Sequence, residues 1–327
     1  MIDWLARNRI VVGVVAIVLV LAAGVFYVVA ELRDQADAAT RPGQPVATGL
    51  TFIDNAGGQN LVSTMDASGN RKPGSLKCLR VYTAGGTTVC LRLSLPGAYE
   101  AAVFDSTGKQ VRTIQLPGTP SRARVSASGK IVSWTVFVTG DSYLAPGGFS
   151  TRTGVLDLRT DTFIESLESF SMTIEGVPDK RQNENYWGVT VADDDNTFYA
   201  TLGSGDKTWL VKGDLKARSM VTVRQSAECP SLSPDQTRVA YKKRGGKLGS
   251  WQLFVLDLAS GKETLLPDSD GVDDQAAWLD NSTLAYAKVR DGQATIFESR
   301  SDGSGDPREL VVGASSPGPA ATVPSGT

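Results

Sequence analysis

The chain has 327 residues, with 33 Lys plus Arg against 35 Asp plus Glu, three Cys, and no histidine. Without imidazole it can carry no Ser-His-Asp or Cys-His catalysis, no His-ligated zinc, and no switch built on the one side chain that ordinarily titrates near neutrality. The 41% apolar content is enough for a core, which excludes wholesale disorder, and a net charge of -2 gives no footprint for a nucleic-acid partner.

In chain order, the first element is an apolar run, Ile10 to Ala30, free of charged residues. At a rise of 1.5 Å per residue, a helix over 10–30 would be roughly 31 Å long, the thickness of bilayer hydrocarbon. Arg7 and Arg9 precede it and Glu31, Arg33, Asp34 and Asp37 follow. That bias predicts a single-pass anchor, with residues 1–9 cytoplasmic and the rest outside. The competing reading is a cleaved signal peptide, for which Ala36-Asp37-Ala38 would be the processing site. Residues 31–49, with Pro42 and Pro45, read as an irregular polar linker.

Cys78 and Cys90 flank two alternating β-type runs joined by Ala84-Gly85-Gly86, the pattern of a hairpin. A turn centred on Ala84 would set the cysteines opposite each other, as a cross-strand disulfide requires. A pair of small buried thiols is the alternative. Cys229 reads as a buried strand residue. Three cysteines without CxxC or histidine make a zinc site a poor fit, and no metal or cofactor is expected.

From Leu50 onward, short β-branched and aromatic runs alternate with Gly, Asp, Ser and Pro. One strand type recurs near Phe52, Val89, Ile131, Phe198, Val239 and Leu284, at intervals of 37, 42, 67, 41 and 45 residues. Four of these five match a blade of about 40–45 residues, so six blades follow. The long interval holds two Gly-rich or polar stretches, 140–153 and 175–185, which read as loop insertions. The expected architecture is all-β, a six-bladed β-propeller over 50–312 behind a transmembrane helix. Residues 313–327, rich in Pro, Ser, Ala and Gly, read as a disordered tail.

SLSPDQTRVAYKK, WQLFVLDLASGKETLL and DDQAAWLDNSTLAYA resemble the repeats of TolB-like six-bladed propellers, where an SPDG-type turn precedes one strand and a V-x-D-x-x-[ST]-G turn follows the next. Together with the cysteine pair and the N-terminal apolar run, they resemble the membrane-anchored TolB-like translocation proteins of actinobacteria. Gln236 departs from the pattern, standing where that turn usually has Gly. The resemblance implies an envelope protein or peptide as partner.

In a propeller the loops entering each innermost strand and those joining second to third strands share one face. On that face the sequence places Glu184, Tyr186 and Trp187 in blade four, Glu228, Lys242, Lys243 and Arg244 in blade five, and Asp273, Asp274, Gln275 and Arg290 in blade six. These are the candidate ligand-binding residues; the bland reading is solvated loop charges. Asp268, Asp270, Asp273 and Asp274 lack the spacing of a calcium loop, and Asp193-Asp194-Asp195-Asn196 reads as a turn. Trp134, Trp187, Trp209, Trp251 and Trp278 read as packing residues. The expected function is therefore a binding or scaffolding module of the cell envelope, not an enzyme. The alternative is a carboxylate-based hydrolase or lyase acting on a glycan. A sensor would have only nine cytoplasmic residues to signal with.

Overall fold

A computed structural model of the chain describes residues 9–40, 43, 44, 46, 48–138, 150–179, 184–246 and 249–320. Six antiparallel blades make a closed ring. Blade one contributes β1 (Leu50–Asp54), β2 (Leu61–Met65) and β3 (Arg71–Lys77). Blade two holds β4 (Arg80–Ala84), β5 (Thr87–Leu95), β6 (Ala98–Phe104) and β7 (Gln110–Leu116). Blade three holds β8 (Thr119–Val125), β9 (Ile131–Val138), β10 (Ser150–Asp157) and β11 (Thr162–Ile164). A hairpin of β12 (Ser171–Ile174) and β13 (Val177–Asp179) follows. Blade four holds β14 (Glu184–Val191), β15 (Thr197–Ser204), β16 (Lys207–Asp214) and β17 (Ser219–Gln225). Blade five holds β18 (Glu228–Leu232), β19 (Arg238–Arg244), β20 (Trp251–Asp257) and β21 (Glu263–Leu265). Blade six holds β22 (Ala277–Trp278), β23 (Thr283–Arg290), β24 (Gln293–Arg300) and β25 (Arg308–Val312), and β26 (Ala314–Pro319) comes last.

All six repeat anchors lie on the second strand of a blade: β1, β5, β9, β15, β19 and β23. That strand is covered on both sides by neighbouring blades, so its apolar residues run almost without interruption, as in the buried run of β9. Outer strands such as β17 have one wet face and alternate instead. Six buried apolar clusters result, one at each blade junction. The innermost strands β26, β4, β8, β14, β18 and β22 touch one another in that order around the axis.

Two boundaries differ from expectation. The stretch 313–327 is not a tail over its first part, because β26 pairs antiparallel with β1 and serves as the innermost strand of blade one. The propeller therefore extends to Pro319, and the C-terminus closes the sheet that the N-terminal part opens. Residues 321–327 lie outside the described residues. The linker is not irregular throughout: helix α1 (Arg9–Thr40) continues to Thr40, since 31–39 is rich in helix-forming Glu, Leu, Arg, Gln and Ala before Pro42 stops it. The chain then docks, with Gly43 N donating to Gly69 O at 3.1 Å and Gln44 N to Leu310 O at 3.0 Å.

Part of the long repeat interval is a hairpin rather than a loop. β12 adds in parallel to β17, and β13 follows it, widening blade four to six strands. Thr153 belongs to β10; 140–149 and 180–183 lie outside the described residues.

Among the described residues, no helix is long and apolar enough to cross a membrane. Side chains are described over 14–30 of α1, a shorter span than the apolar run read from the sequence. Residues 1–8, including Arg7, lie outside the described residues.

The Cys78–Cys90 disulfide is present, with a Cα separation of 5.5 Å. Its route differs from the hairpin register expected. The turn is Gly85-Gly86, both at positive φ, so Cys90 faces Val81. Cys78 stands on the link from blade one to blade two, and the bond ties that link to β5.

Candidate functional site on the entry face

The loops that enter each innermost strand define what we call the entry face. The clearest grouping there joins blades five and six. Lys242, near the end of β19, is buried, and its Nζ donates to Asp273 O at 2.6 Å and to Asp273 Oδ1 at 2.9 Å. Arg122 of β8 reaches the same residue across the axis, with Nη2 2.7 Å from Asp273 O. Burial works against ionisation of Asp273, but the charges of Lys242 and Arg122 outweigh it and hold the carboxyl below its ordinary range.

Beside this pair, Trp251 opens β20 at the rim. Lys242 Nζ lies 4.4 Å and Arg244 Cζ 3.9 Å from its ring centroid, and its Nε1 donates to Glu228 Oε1 at 3.1 Å. Arg244 Nε stands 4.0 Å from the same carboxylate. Glu228, Lys242, Arg244, Trp251 and Asp273 thus form one continuous patch in which cation–π and charged contacts replace a packed core. Trp251 is half-buried and packs against the core cluster between blades five and six, and Trp134, Trp187, Trp209 and Trp278 are buried, in line with the packing expected of all five.

The other candidates separate. Lys243, one residue along the strand, points to the opposite side of blade five, where its Nζ meets Glu263 Oε2 at 3.2 Å. Glu263 also takes Arg224 of blade four at 2.7 Å, a junction tie away from the rim patch. Arg290 lies over Phe297 and 4.0 Å from Glu309, so it belongs to the outer part of blade six. In blade four, the Tyr186 hydroxyl donates to Glu184 Oε2 at 2.7 Å. Burial, reinforced by Glu184, raises the Tyr186 phenol far above its usual value, so it stays protonated. Trp187 packs its ring over Gly203, where a Cβ would stand 2.7 Å from it. Lys247 lies outside the described residues.

Sequence reasoning missed the axis. Arg122 and Arg124 alternate on β8 and both point inward. Arg124 donates to Ala276 O and stacks on Tyr82, 4.2 Å from its ring centroid. Gln275 Nε2 donates to Pro230 O at 2.5 Å, and Asp274 Oδ2 accepts from Ser316 N at 3.0 Å. These groups leave a cavity of about 10 Å³ among Arg80, Arg122, Arg124 and Asp274, room for roughly one water. The signal was available as two basic residues at i and i+2 in a strand that opens a blade.

The four acids considered for calcium go to four different partners. Asp268 pairs with Lys288 at 3.2 Å, Asp270 Oδ1 accepts from Ser250 at 3.2 Å, and Asp273 and Asp274 are engaged as above. Among the described residues, no group of three or more Cys, Asp or Glu is placed to hold a metal ion. Asp194 closes its turn by accepting from Asn196 N at 2.9 Å and Thr197 N at 2.7 Å.

The fold is a six-bladed β-propeller, and its likeness to solved propellers is in the fold. TolB from Acinetobacter baumannii superposes with a TM-score of 0.60 at 13% identity, over 86% of this chain and 68% of that one. A chain of the nidogen/laminin complex gives 0.56 at 9% identity, over 83% and 98%. The acylaminoacyl peptidase of Pyrococcus horikoshii gives 0.45 at 12% identity, over 77% and 41%. Likeness at these identities shows the fold alone. No protein-family model and no curated protein matches the chain, so the resemblance to actinobacterial membrane-anchored proteins rests on its sequence motifs.

Proposed function

We propose that this protein is a membrane-anchored, extracytoplasmic propeller that binds a protein or peptide segment of the cell envelope through the rim around Trp251. The observation that carries this reading is the patch of Glu228, Lys242, Arg244, Trp251 and Asp273: a half-buried aromatic flanked by charges of both signs, in front of an axis closed by Arg122, Arg124 and Gln275. Aromatic and Arg side chains of this kind are the groups on which protein interfaces concentrate their binding energy. The nearly filled axis favours a partner that lies on the face over a small substrate that enters it. The carboxylates favour binding over hydrolysis too, since Glu184, Glu228 and Asp273 are each engaged by a neighbouring donor.

Three features support the location: the uncharged run 10–30, the basic residues before it, and a disulfide suited to an oxidising compartment. By this reading the N-terminus is cytoplasmic in a bacterial plasma membrane. The test is site-specific photocrosslinking in intact cells, with the reactive group at Arg244 and a control at Ser106 on the opposite face. The expected result is an adduct from position 244 that is lost with Trp251→Ala and absent from position 106. Adducts unaffected by Trp251→Ala, or none at position 244, overturn the rim as the binding surface.

A further inference from the structure

The path of α1 relates the entry face to the N-terminal apolar run. The residues just after the helix sit at the opposite face, where Gly43 bonds Gly69 in the loop between β2 and β3. Yet α1 also touches residues 56–58, in the loop between β1 and β2, which belongs to the entry face. The helix therefore climbs the side of blade one. Its stretch 31–40 rises about 15 Å, and a five-residue strand such as β1 spans about 17 Å. The charged part of the helix matches the height of the blade, and the apolar part begins where the blade ends. Val14 to Val29 fit this path, since their large apolar side chains are all at least 41% exposed.

A second observation concerns the propeller itself. Among the described residues, the exposed large apolar side chains near loop ends are Leu93 and Leu95 on β5, Phe137 on β9, Val177 on β13 and Val289 on β23. Every one of these strand ends borders the entry face, although β13, like the strands that carry Phe163, Val221, Val223 and Leu265, is an outer strand. Isolated exposed apolar residues are ordinary, but confinement to one face is not what scatter produces. Leu95 and Val289, 69% and 70% exposed, stand on blades two and six, on either side of the blade that α1 climbs. Arg290 follows Val289 and is half in solvent; its guanidinium lies 4.0 Å from Glu309, an exposed pair that water screens and an anionic headgroup can replace.

We infer that the entry-face edge formed by blades six, one and two rests on the anionic lipid surface of the membrane that holds α1, with Leu93, Leu95 and Val289 reaching the interface. This rests on the anchor proposed above and deepens it. The rim patch then faces the bilayer, and its partner is a segment held close to the membrane.

The test uses the full chain reconstituted in vesicles of phosphatidylcholine and phosphatidylglycerol that carry a quencher at headgroup depth. Fluorophores are attached at Leu95→Cys, Val289→Cys and, on the opposite face, Ser106→Cys; Cys229 is buried and the other two cysteines are bonded. Several-fold stronger quenching at 95 and 289 than at 106 is expected. Flotation of the chain with the vesicles reads the anchor separately. A chain that floats with equal quenching at all three sites, or with 106 quenched most, overturns the orientation alone. A chain that does not float overturns the anchor, and the orientation with it.

Discussion

Lys242 of blade five bonds Asp273 of blade six twice, once through the main-chain oxygen and once through the carboxylate, with its own side chain 3% exposed. Asp273→Ala removes the carboxylate but leaves Lys242 its carbonyl and the Trp251 ring. The loss expected in denaturant unfolding is therefore about 1–3 kcal/mol, the range for a hydrogen bond to a charged group. Lys242→Met, which removes the buried charge as well, should cost less than Asp273→Ala. The reverse order would show that the pair stabilises the junction by more than neutralising Lys242.

Acid should weaken the fold through its depressed carboxyls, while Asp54, whose carboxyl burial raises, acts in the opposite sense. Burial opposes the charge on Asp273, Asp235 and Asp194, yet their hydrogen bonds and basic neighbours prevail and depress all three carboxyls. A depressed folded value means stability that is present above the unfolded value of about 3.9 and is lost as pH falls through the lower folded values. With no histidine in the chain, the unfolding midpoint should be nearly level from about pH 5 to 7. A pronounced transition inside that window would contradict this assignment.

The disulfide closes a loop with a sequence separation of 12. Chain entropy alone gives it a stabilisation of about 2–3 kcal/mol. A double Cys78→Ala, Cys90→Ala variant should unfold at lower denaturant by that amount. The unchanged chain should match it when a reductant is present. Equal midpoints in oxidised and reduced protein would show that the bond adds nothing to the fold.

Gln236 holds a φ of +60° in the turn after Ser233. A side chain in that conformation costs roughly 1 kcal/mol, which glycine avoids, although glycine also loosens the unfolded chain. Gln236→Gly should therefore raise stability by about 0.5 kcal/mol, and Gln236→Val should lower it by more than 1 kcal/mol because a β-branched residue resists that region. Thermal midpoints of the two variants check the opposite signs.

Removing β26 should be far more damaging than trimming a tail. Leu50 and Phe52 on β1 are 0% exposed, and a chain ending at Val312 uncovers the inner edge of that strand. Exposing one fully buried Phe-sized side chain alone costs about 1.5–3 kcal/mol. The expected outcome is a lowered, broadened thermal transition with binding of an apolar dye. An unchanged transition would mean that the ring holds without its last strand.

The blades were legible because their second strands are covered on both sides and so collect Val, Ile, Leu and aromatic residues at a regular interval. β26 was hidden for the converse reason. Its sequence, ASSPGP, has no β-branched or aromatic residue, and only ring closure places it in a sheet. The β12–β13 hairpin was invisible because its pairing with β17 joins residues 48 apart, which no local pattern records. In the site, loop position alone could not tell Lys242 from Lys243; alternation along β19 sends one to the rim and the other to Glu263. Arg122 and Arg124 were overlooked because buried cations look, in sequence, like surface ones.

The placement of β26 also bears on timing. Blade one is begun by Leu50 and completed by Pro319, so its sheet cannot be finished until the chain through Pro319 has left the ribosome and, if exported, the translocation channel. Blades two to six can each assemble as they emerge, while β1 waits with an unpaired edge. That interval is when the growing protein is most open to pairing with a foreign strand.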